Sequence, residues 1–117
     1  MVKLFDSELK IMEIVWVNEP VSAKEISRIA ADTISWNKNT TYTVIKKLID
    51  KNALKREEPN FICSSLIQKE DVQKLEIRNL IDKLYGGSKK AFFAAFVEEN
   101  LSDNELEELK ALIEKRK

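Results

Sequence analysis

The clearest indication of the fold is the stretch NKNTTYTVIKKLIDKN, which occupies residues 37–52. Its spacing places Thr41, Val44 and Leu48 on one side of a helix, where they can face a core. Asn37 is a favourable N-cap residue, because its side-chain oxygen can accept a hydrogen bond from a free amide of the first turn. The stretch therefore predicts a helix with a polar and basic outer face.

Two helices precede this stretch and a hairpin follows it. The first helix is predicted over residues 6–16 with Asp6 as its cap, and the second opens with a capping box at Ser22. Downstream, extended segments at 53–57 and 61–66 flank a Pro-Asn turn, which is typical of a hairpin. Three helices and a hairpin are the plan of a winged helix-turn-helix module.

The pattern is helical again after the hairpin. It predicts a helix ended by a glycine pair, a compact helix capped by Ser88, and a last helix that opens with a capping box at Ser102. We therefore predict a mainly α protein with a small β-hairpin wing. Residues 1–67 are expected to form a winged-helix DNA-binding domain, and residues 68–117 a three-helix dimerisation region.

Large apolar side chains are frequent in the last fifty residues. A helical unit of this size can rarely bury such a set alone, so association of two chains into a homodimer is the economical solution. The side chains predicted to form the dimer contact are Leu80, Leu84, Phe92, Phe93, Phe96, Leu106, Leu109, Leu112 and Ile113. The alternative is that these helices fold back onto their own N-terminal module.

The composition excludes several classes of protein. The 117 residues include no histidine and one cysteine, which removes Ser-His and Cys-His nucleophiles, His-ligated metal sites and an internal disulfide. We find no catalytic constellation, and we expect a protein that is not an enzyme and that needs neither metal nor cofactor. The longest apolar run, at residues 14–17, is too short to insert into a membrane, so we expect a cytoplasmic protein.

Charge is distributed unevenly, although 20 basic residues balance 20 acidic residues. Residues 36–56 contain six basic side chains and one acidic one, whereas residues 91–117 contain seven acidic and four basic ones. Positive charge therefore collects on the third helix and the hairpin. These are the two elements that a winged helix presents to double-stranded DNA.

The outer face of the third helix carries side chains that can read DNA. The spacing turns Asn39, Tyr42, Thr43 and Lys46 outward; Asn suits adenine, Thr suits thymine, and Lys suits guanine or phosphate. Free backbone amides of the first turn suit a phosphate, and this region comprises Asn37, Lys38, Asn39 and Thr40. The alternative is an ordinary solvated helix surface.

Four segments together have a family-specific pattern: DSELKIMEIVW at 6–16, WNKNTTYTVIKKL at 36–48, EPNFIC at 58–63 and LYGGS at 84–88. In this order they resemble the opening helix, the recognition helix, the wing and the hinge of the penicillinase-repressor (BlaI/MecI) family of winged-helix transcriptional regulators. The resemblance extends over essentially the whole chain.

The resemblance implies a dimeric repressor that binds a palindromic operator, with one recognition helix in each major groove. The expected targets are β-lactamase or other antibiotic-resistance genes. It also implies that a membrane sensor metalloprotease relieves repression by causing cleavage in the dimerisation region. The matching bond in this chain is Ala95–Phe96.

The same match assigns further DNA-binding residues. Thr40 and Thr43 fall on the recognition threonines of the family, Lys47 stands where an arginine is usual, and Arg56 lies at the base of the wing. With the outer-face and first-turn residues they complete the predicted DNA-binding set.

Two other functions remain open at this point. A winged helix can act as a protein-interaction adaptor, in which case DNA binding would vanish at physiological salt. A ligand-sensing regulator could use a pocket among Phe92, Phe93 and Phe96, and a ligand would then stabilise the protein without proteolysis.

Overall fold

The computed structural model describes residues 3–99 and 101–116 and confirms the predicted fold class. The elements in chain order are α1 (Asp6–Asn18), β1 (Val21–Ser22), α2 (Ala23–Ile34), α3 (Lys38–Asp50), β2 (Leu54–Glu57), β3 (Ile62–Ser65), α4 (Lys69–Tyr85), α5 (Lys89–Val97) and α6 (Asp103–Arg116). The chain forms two compact units, Met1–Gln73 and Lys74–Lys117. Their boundary lies inside α4, a few residues beyond the predicted boundary at residue 67, and the separate roles of the two parts stay a prediction.

The sheet has three antiparallel strands in the order β1-β3-β2. The β2–β3 hairpin is the predicted wing, with Leu54 opposite Ser65 and Glu57 opposite Ile62. The strand β1 was not predicted, because two residues are too few to show the alternation that identifies a strand. Its pairing of Val21 with Cys63 ties the wing to the start of α2.

One apolar core holds the first unit together. It is formed by fully buried side chains that include Ile11 and Val15 of α1, Ile26 of α2 and Leu48 of α3, and the wing adds Leu54. Burial of each such side chain contributes about 1.5 to 3 kcal/mol, so the inner face of α3 is firmly fixed against α1 and α2.

The cap of α1 differs from the prediction. Asp6 is the first helical residue and not the cap; the preceding Phe5 donates its backbone N–H to Oε1 of Glu8 at 2.8 Å. A glutamate three positions into a helix can reach back to this amide, and it does so here without the usual Ser or Thr partner. Of the capping box predicted at Ser22, the serine half is confirmed, with the Glu25 amide 3.0 Å from its Oγ, whereas the Glu25 carboxylate accepts from Arg28 instead.

In the second unit the predicted helix ends are confirmed. Gly86 and Gly87 have positive φ angles of 57° and 82° and end α4. Ser88 accepts from the Ala91 amide at 3.0 Å, and Ser102 and Glu105 form the reciprocal capping box at 2.9 and 3.1 Å. None of the described helices has the length and apolar content that a membrane crossing requires.

Candidate nucleic-acid interface

The helix α3 presents one exposed face. Its inner residues Thr41, Val44, Ile45 and Leu48 are buried. The residues exposed on the outer side or in the first turn are Asn37, Lys38, Asn39, Thr40, Thr43, Lys46, Lys47 and Asp50. The structure therefore brings almost all of the predicted helix residues onto one accessible surface, and Tyr42 alone is half-buried.

The first turn of α3 leaves two backbone donors open. Asn37 caps the helix by accepting from the Thr40 amide at 2.8 Å, so that amide is already used. The amides of Lys38 and Asn39 donate to no acceptor in the described part of the chain. These two N–H groups, at the positive end of the helix dipole, are free to bind a phosphate oxygen.

Thr43 has a defined hydrogen-bonding state. Its Oγ1 donates to the carbonyl oxygen of Asn39 at 2.8 Å. A threonine hydroxyl has one proton and two lone pairs, so towards solvent this group is left as an acceptor beside a methyl group. Thr43 can therefore accept from a base amino group or pack against a thymine methyl.

The wing is connected to α3 by a row of alternating charges and rings, which we call the wing row: Lys38, Tyr42, Phe61 and Arg56. The rings of Tyr42 and Phe61 meet edge to face, 6.0 Å apart at 89°. Lys38 lies over the Tyr42 ring at 5.7 Å, and the Arg56 guanidinium lies over the Phe61 ring at 3.6 Å. The row runs without a gap from the first turn of α3 to β2.

Phe61 was predicted as the first residue of the second wing strand and not as a functional residue, but β3 begins at Ile62. The φ of +52° at Phe61 follows a φ of +73° at Asn60. Asparagine tolerates this left-handed conformation, but for phenylalanine it costs about 1 to 2 kcal/mol. A backbone conformation of this kind cannot be read from residue types, and the only available signal was a large aromatic residue directly after a turn.

The positive charge of the stretch is smaller than its residue count suggests. Lys51, one of its six basic residues, pairs at 2.7 Å with the buried Glu8 of α1. In the wing, Lys55 lies 3.5 Å from Glu57, and Arg56 pairs with Glu58. Three basic residues have no carboxylate partner among the described residues: Lys38, Lys46 and Lys47, all on α3. The helix therefore supplies more of the unpaired charge than the wing does.

The lone cysteine is part of the core and not of the surface. Cys63 is fully buried in β3, and burial raises the pKa of its thiol to about 11. The thiol is thus protonated at neutral pH and behaves as a small apolar group. Among the described residues no cluster of three His, Cys, Asp or Glu side chains could hold a metal ion.

The second unit leaves most of the predicted dimer residues accessible. Seven are exposed: Leu80, Leu84, Phe93, Phe96, Leu106, Leu112 and Ile113. Phe92 and Leu109 are half-buried. Of the described residues in this unit only Ile81 is buried, so its own helices cover little of their apolar surface.

The three phenylalanines of α5 have different surroundings. Phe92 packs against Tyr85 with ring centroids 5.6 Å apart and stacks on Phe96 at 6.5 Å. Phe93 instead lines an open apolar groove with Leu106 and Ile113. Ala95 and Phe96, the predicted cleavage pair, both lie in the last turn of α5.

Comparison with known proteins gives consistent results. A family model described as "Penicillinase repressor" matches residues 4–115. The methicillin resistance regulatory protein MecI of Staphylococcus aureus is 30% identical over an alignment of 117 positions, which covers 97% of this chain and 95% of that protein. A penicillinase repressor of Staphylococcus aureus is 30% identical over 115 residues, covering 96% of this chain and 91% of that protein.

A solved structure is similar to the winged-helix part. The solution structure of the monomeric form of Bacillus licheniformis BlaI in complex with the blaP half-operator has a TM-score of 0.53 and 26% identity, and it covers 60% of this chain and 88% of that one. The relatives are regulators, which confirms that the chain is not an enzyme. Because the family model and two relatives extend over nearly its whole length, the chain belongs to the penicillinase repressor family.

Proposed function

We propose that this chain is a homodimeric transcriptional repressor that acts in the cytoplasm on a palindromic operator of β-lactamase or other antibiotic-resistance genes. The observation that carries the proposal is the exposed face of α3, where the unpaired lysines and the threonines lie together. The similar BlaI structure is a complex with a half-operator, which supports DNA as the partner of the winged-helix unit.

The residues of α3 divide by what they can contact. Asn39, Thr43 and Lys46 project from the middle of the exposed face and reach base edges in the major groove. Phosphates are held at the margins of the surface by the first-turn group Asn37, Lys38 and Thr40, and by Lys47 and Arg56. Tyr42 contributes through the wing row, by its edge-to-face contact with Phe61.

Dimerisation is supported by the exposed apolar set of the second unit. Large apolar side chains that a helical unit leaves in water are best covered by a second copy with the same set, because a two-fold interface is self-complementary. Two winged helices linked in this way bind two half-sites, and the second contact becomes effectively intramolecular. Loss of the dimer therefore weakens DNA binding without any change on the reading surface.

Cleavage at Ala95–Phe96 is a mechanism by which a membrane sensor metalloprotease would separate the two copies. Phe96 belongs to the proposed dimer contact, so a cut at its amide removes part of that contact and all of α6. Because this bond lies in a helix, cleavage requires local unwinding of the last turn of α5.

A selection experiment tests the proposal. Full-length chain is used to select duplexes from a random library, and the enriched duplexes are assayed by gel shift at physiological salt. The proposal requires an enriched inverted repeat that Lys46→Ala binds more weakly and Lys110→Ala, an exposed lysine of α6, binds normally. Enrichment of no sequence, with binding lost at physiological salt, would instead indicate a protein-interaction adaptor.

A further inference from the structure

Phe61 connects four parts of the DNA-binding unit. Its carbonyl oxygen accepts from the Ala23 amide at the start of α2 at 2.9 Å, and its own amide donates to Oε1 of Glu58 at 3.4 Å. Its ring meets the Tyr42 ring of α3 edge to face, and it lies under the Arg56 guanidinium of β2. The residue is therefore held from several directions at once.

The left-handed backbone of Phe61 indicates that its side chain matters. Glycine adopts such a φ angle without strain, and a turn that needed only this conformation would be served best by glycine. A strained residue persists where the surrounding structure stabilises it, and such residues cluster at functional sites. Here the strained backbone is stabilised by the contacts of the Phe61 ring with Tyr42 of α3 and with Arg56 of the wing.

Arg56 already pairs with a side-chain carboxylate in this arrangement. Its Nε donates to Oε2 of Glu58 while the central carbon of the guanidinium lies over the Phe61 ring, 3.6 Å from the ring centroid. A guanidinium this close to an aromatic face packs with its plane along the ring, which leaves its N–H groups pointing outwards. A phosphate oxygen can take the position that the Glu58 carboxylate occupies, because both are anionic acceptors of the same donors.

We propose that Phe61, supported by Tyr42, is a positioning residue that holds the Arg56 guanidinium ready for one phosphate of the DNA backbone. The inference rests on the proposed function and deepens it: the wing contributes one oriented phosphate contact, for which Arg56 exchanges the Glu58 carboxylate for a phosphate while Lys55 stays paired with Glu57. The position of that contact relative to α3 is set by the Tyr42–Phe61 ring pair.

The salt dependence of the DNA affinity shows whether this phosphate contact is made. The full-length wild type is compared with Phe61→Leu, Arg56→Gln and the double variant on a mixed-sequence duplex of about 30 base pairs, from about 50 to about 200 mM salt. Loss of one phosphate contact per chain lowers the magnitude of the slope of log K against log salt by about 0.9 for each bound chain, which corresponds to about fifteenfold weaker binding at 50 mM and about fourfold at 200 mM. For a dimer that engages both chains the slope change is about 1.8, and the two factors become about 220-fold and about 18-fold. A mixed-sequence duplex suffices because the phosphate contribution does not depend on sequence.

The decisive result is non-additivity. We expect Phe61→Leu to produce at least half of the slope change of Arg56→Gln, and to add nothing when Arg56 is already replaced. Phe61→Tyr keeps the ring and is the matched control with a wild-type slope. Thermal melting of every variant is recorded, because a merely structural role would lower the melting temperature without changing the slope.

Two results for a folded variant overturn the inference. If Phe61→Leu leaves the slope unchanged, or weakens binding equally with and without Arg56, the ring does not position the arginine. Should Phe61→Leu fail to fold, Phe61→Met, which fills the space without a ring, carries the same test. A wild-type chain that binds no duplex overturns the proposed function, and the inference with it.

Discussion

The substitution Lys51→Met leaves the buried Glu8 carboxylate without its cation. Glu8 is 1% exposed, and its Oε1 accepts from Lys51 Nζ at 2.7 Å and from the Phe5 amide at 2.8 Å. Its Oε2 is buried without a hydrogen-bond partner in the described part of the chain. After the substitution one backbone amide would be the remaining donor to a full negative charge.

The magnitude follows from the burial of the pair. Removal of one partner of a buried ion pair costs about 3 to 5 kcal/mol, and because the Lys51 side chain is 25% exposed, partial access of water reduces this to about 2 to 4 kcal/mol. For a unit of this size that loss lowers the melting temperature by about 10 to 25 °C. Glu8→Gln combined with Lys51→Met should recover most of the loss, because the amide oxygen still accepts from Phe5 and no charge is buried.

Urea denaturation followed by far-UV circular dichroism gives the free energy of unfolding of each variant. Lys55→Met is the matched control, since its pair with Glu57 is more than half exposed and its loss should change stability by less than about 0.5 kcal/mol. A Lys51→Met loss below about 1 kcal/mol, or a double variant as unstable as the single one, would contradict a buried carboxylate that Lys51 compensates. When the concentrations of folded protein are equal, Lys51→Met should bind DNA with the affinity of the wild type.

Four further results are expected. Lys46→Ala should weaken operator binding and lower its salt dependence by about one unit of slope for each bound chain, or about two for the dimer, which filter binding at several salt concentrations measures. Thr43→Ala should lose about 1 to 3 kcal/mol of discrimination between operator variants with little change in salt slope, and equal losses on every variant would exclude a base contact. Glu58→Gln should strengthen DNA binding about twofold to fivefold, because it frees Arg56 from its carboxylate partner. Glu57→Gln should strengthen DNA binding less, and a larger effect of Glu57→Gln would contradict the assignment of Arg56 as the phosphate contact of the wing. Cys63 should react with a thiol reagent at pH 8 only on the timescale of unfolding, since its pKa of about 11 and its burial keep the thiolate scarce; rapid reaction of folded protein would contradict this.

The features that the sequence predicted are those with a local cause. The helix α3 follows from the spacing of Val44 and Leu48 and from the Asn37 cap, and both depend on residues within one or two turns. The end of α4 was equally local, because only the glycine pair adopts its φ angles easily. The exposed face of α3 then followed from geometry alone.

The features that were missed depend on contacts between distant segments. Lys51 was counted with the DNA-facing charge, because the sequence does not show that a glutamate 43 positions away lies buried beside it. The strand β1 exists through its pairing with β3, and the wing row exists because the hairpin brings Phe61 against Tyr42. Contacts of this kind are determined by the tertiary fold and have no local pattern.

Hydroxyl-radical footprinting of full-length chain on its selected operator, combined with light scattering of the complex, addresses the proposed mode of binding. We expect two chains per duplex and two protected half-sites related by a dyad, with centres about 10 base pairs or a multiple of that apart. Lys46→Ala should weaken protection at both half-sites together. A single bound chain, or protection that Lys46→Ala leaves unchanged, would contradict a dimer that reads DNA through α3.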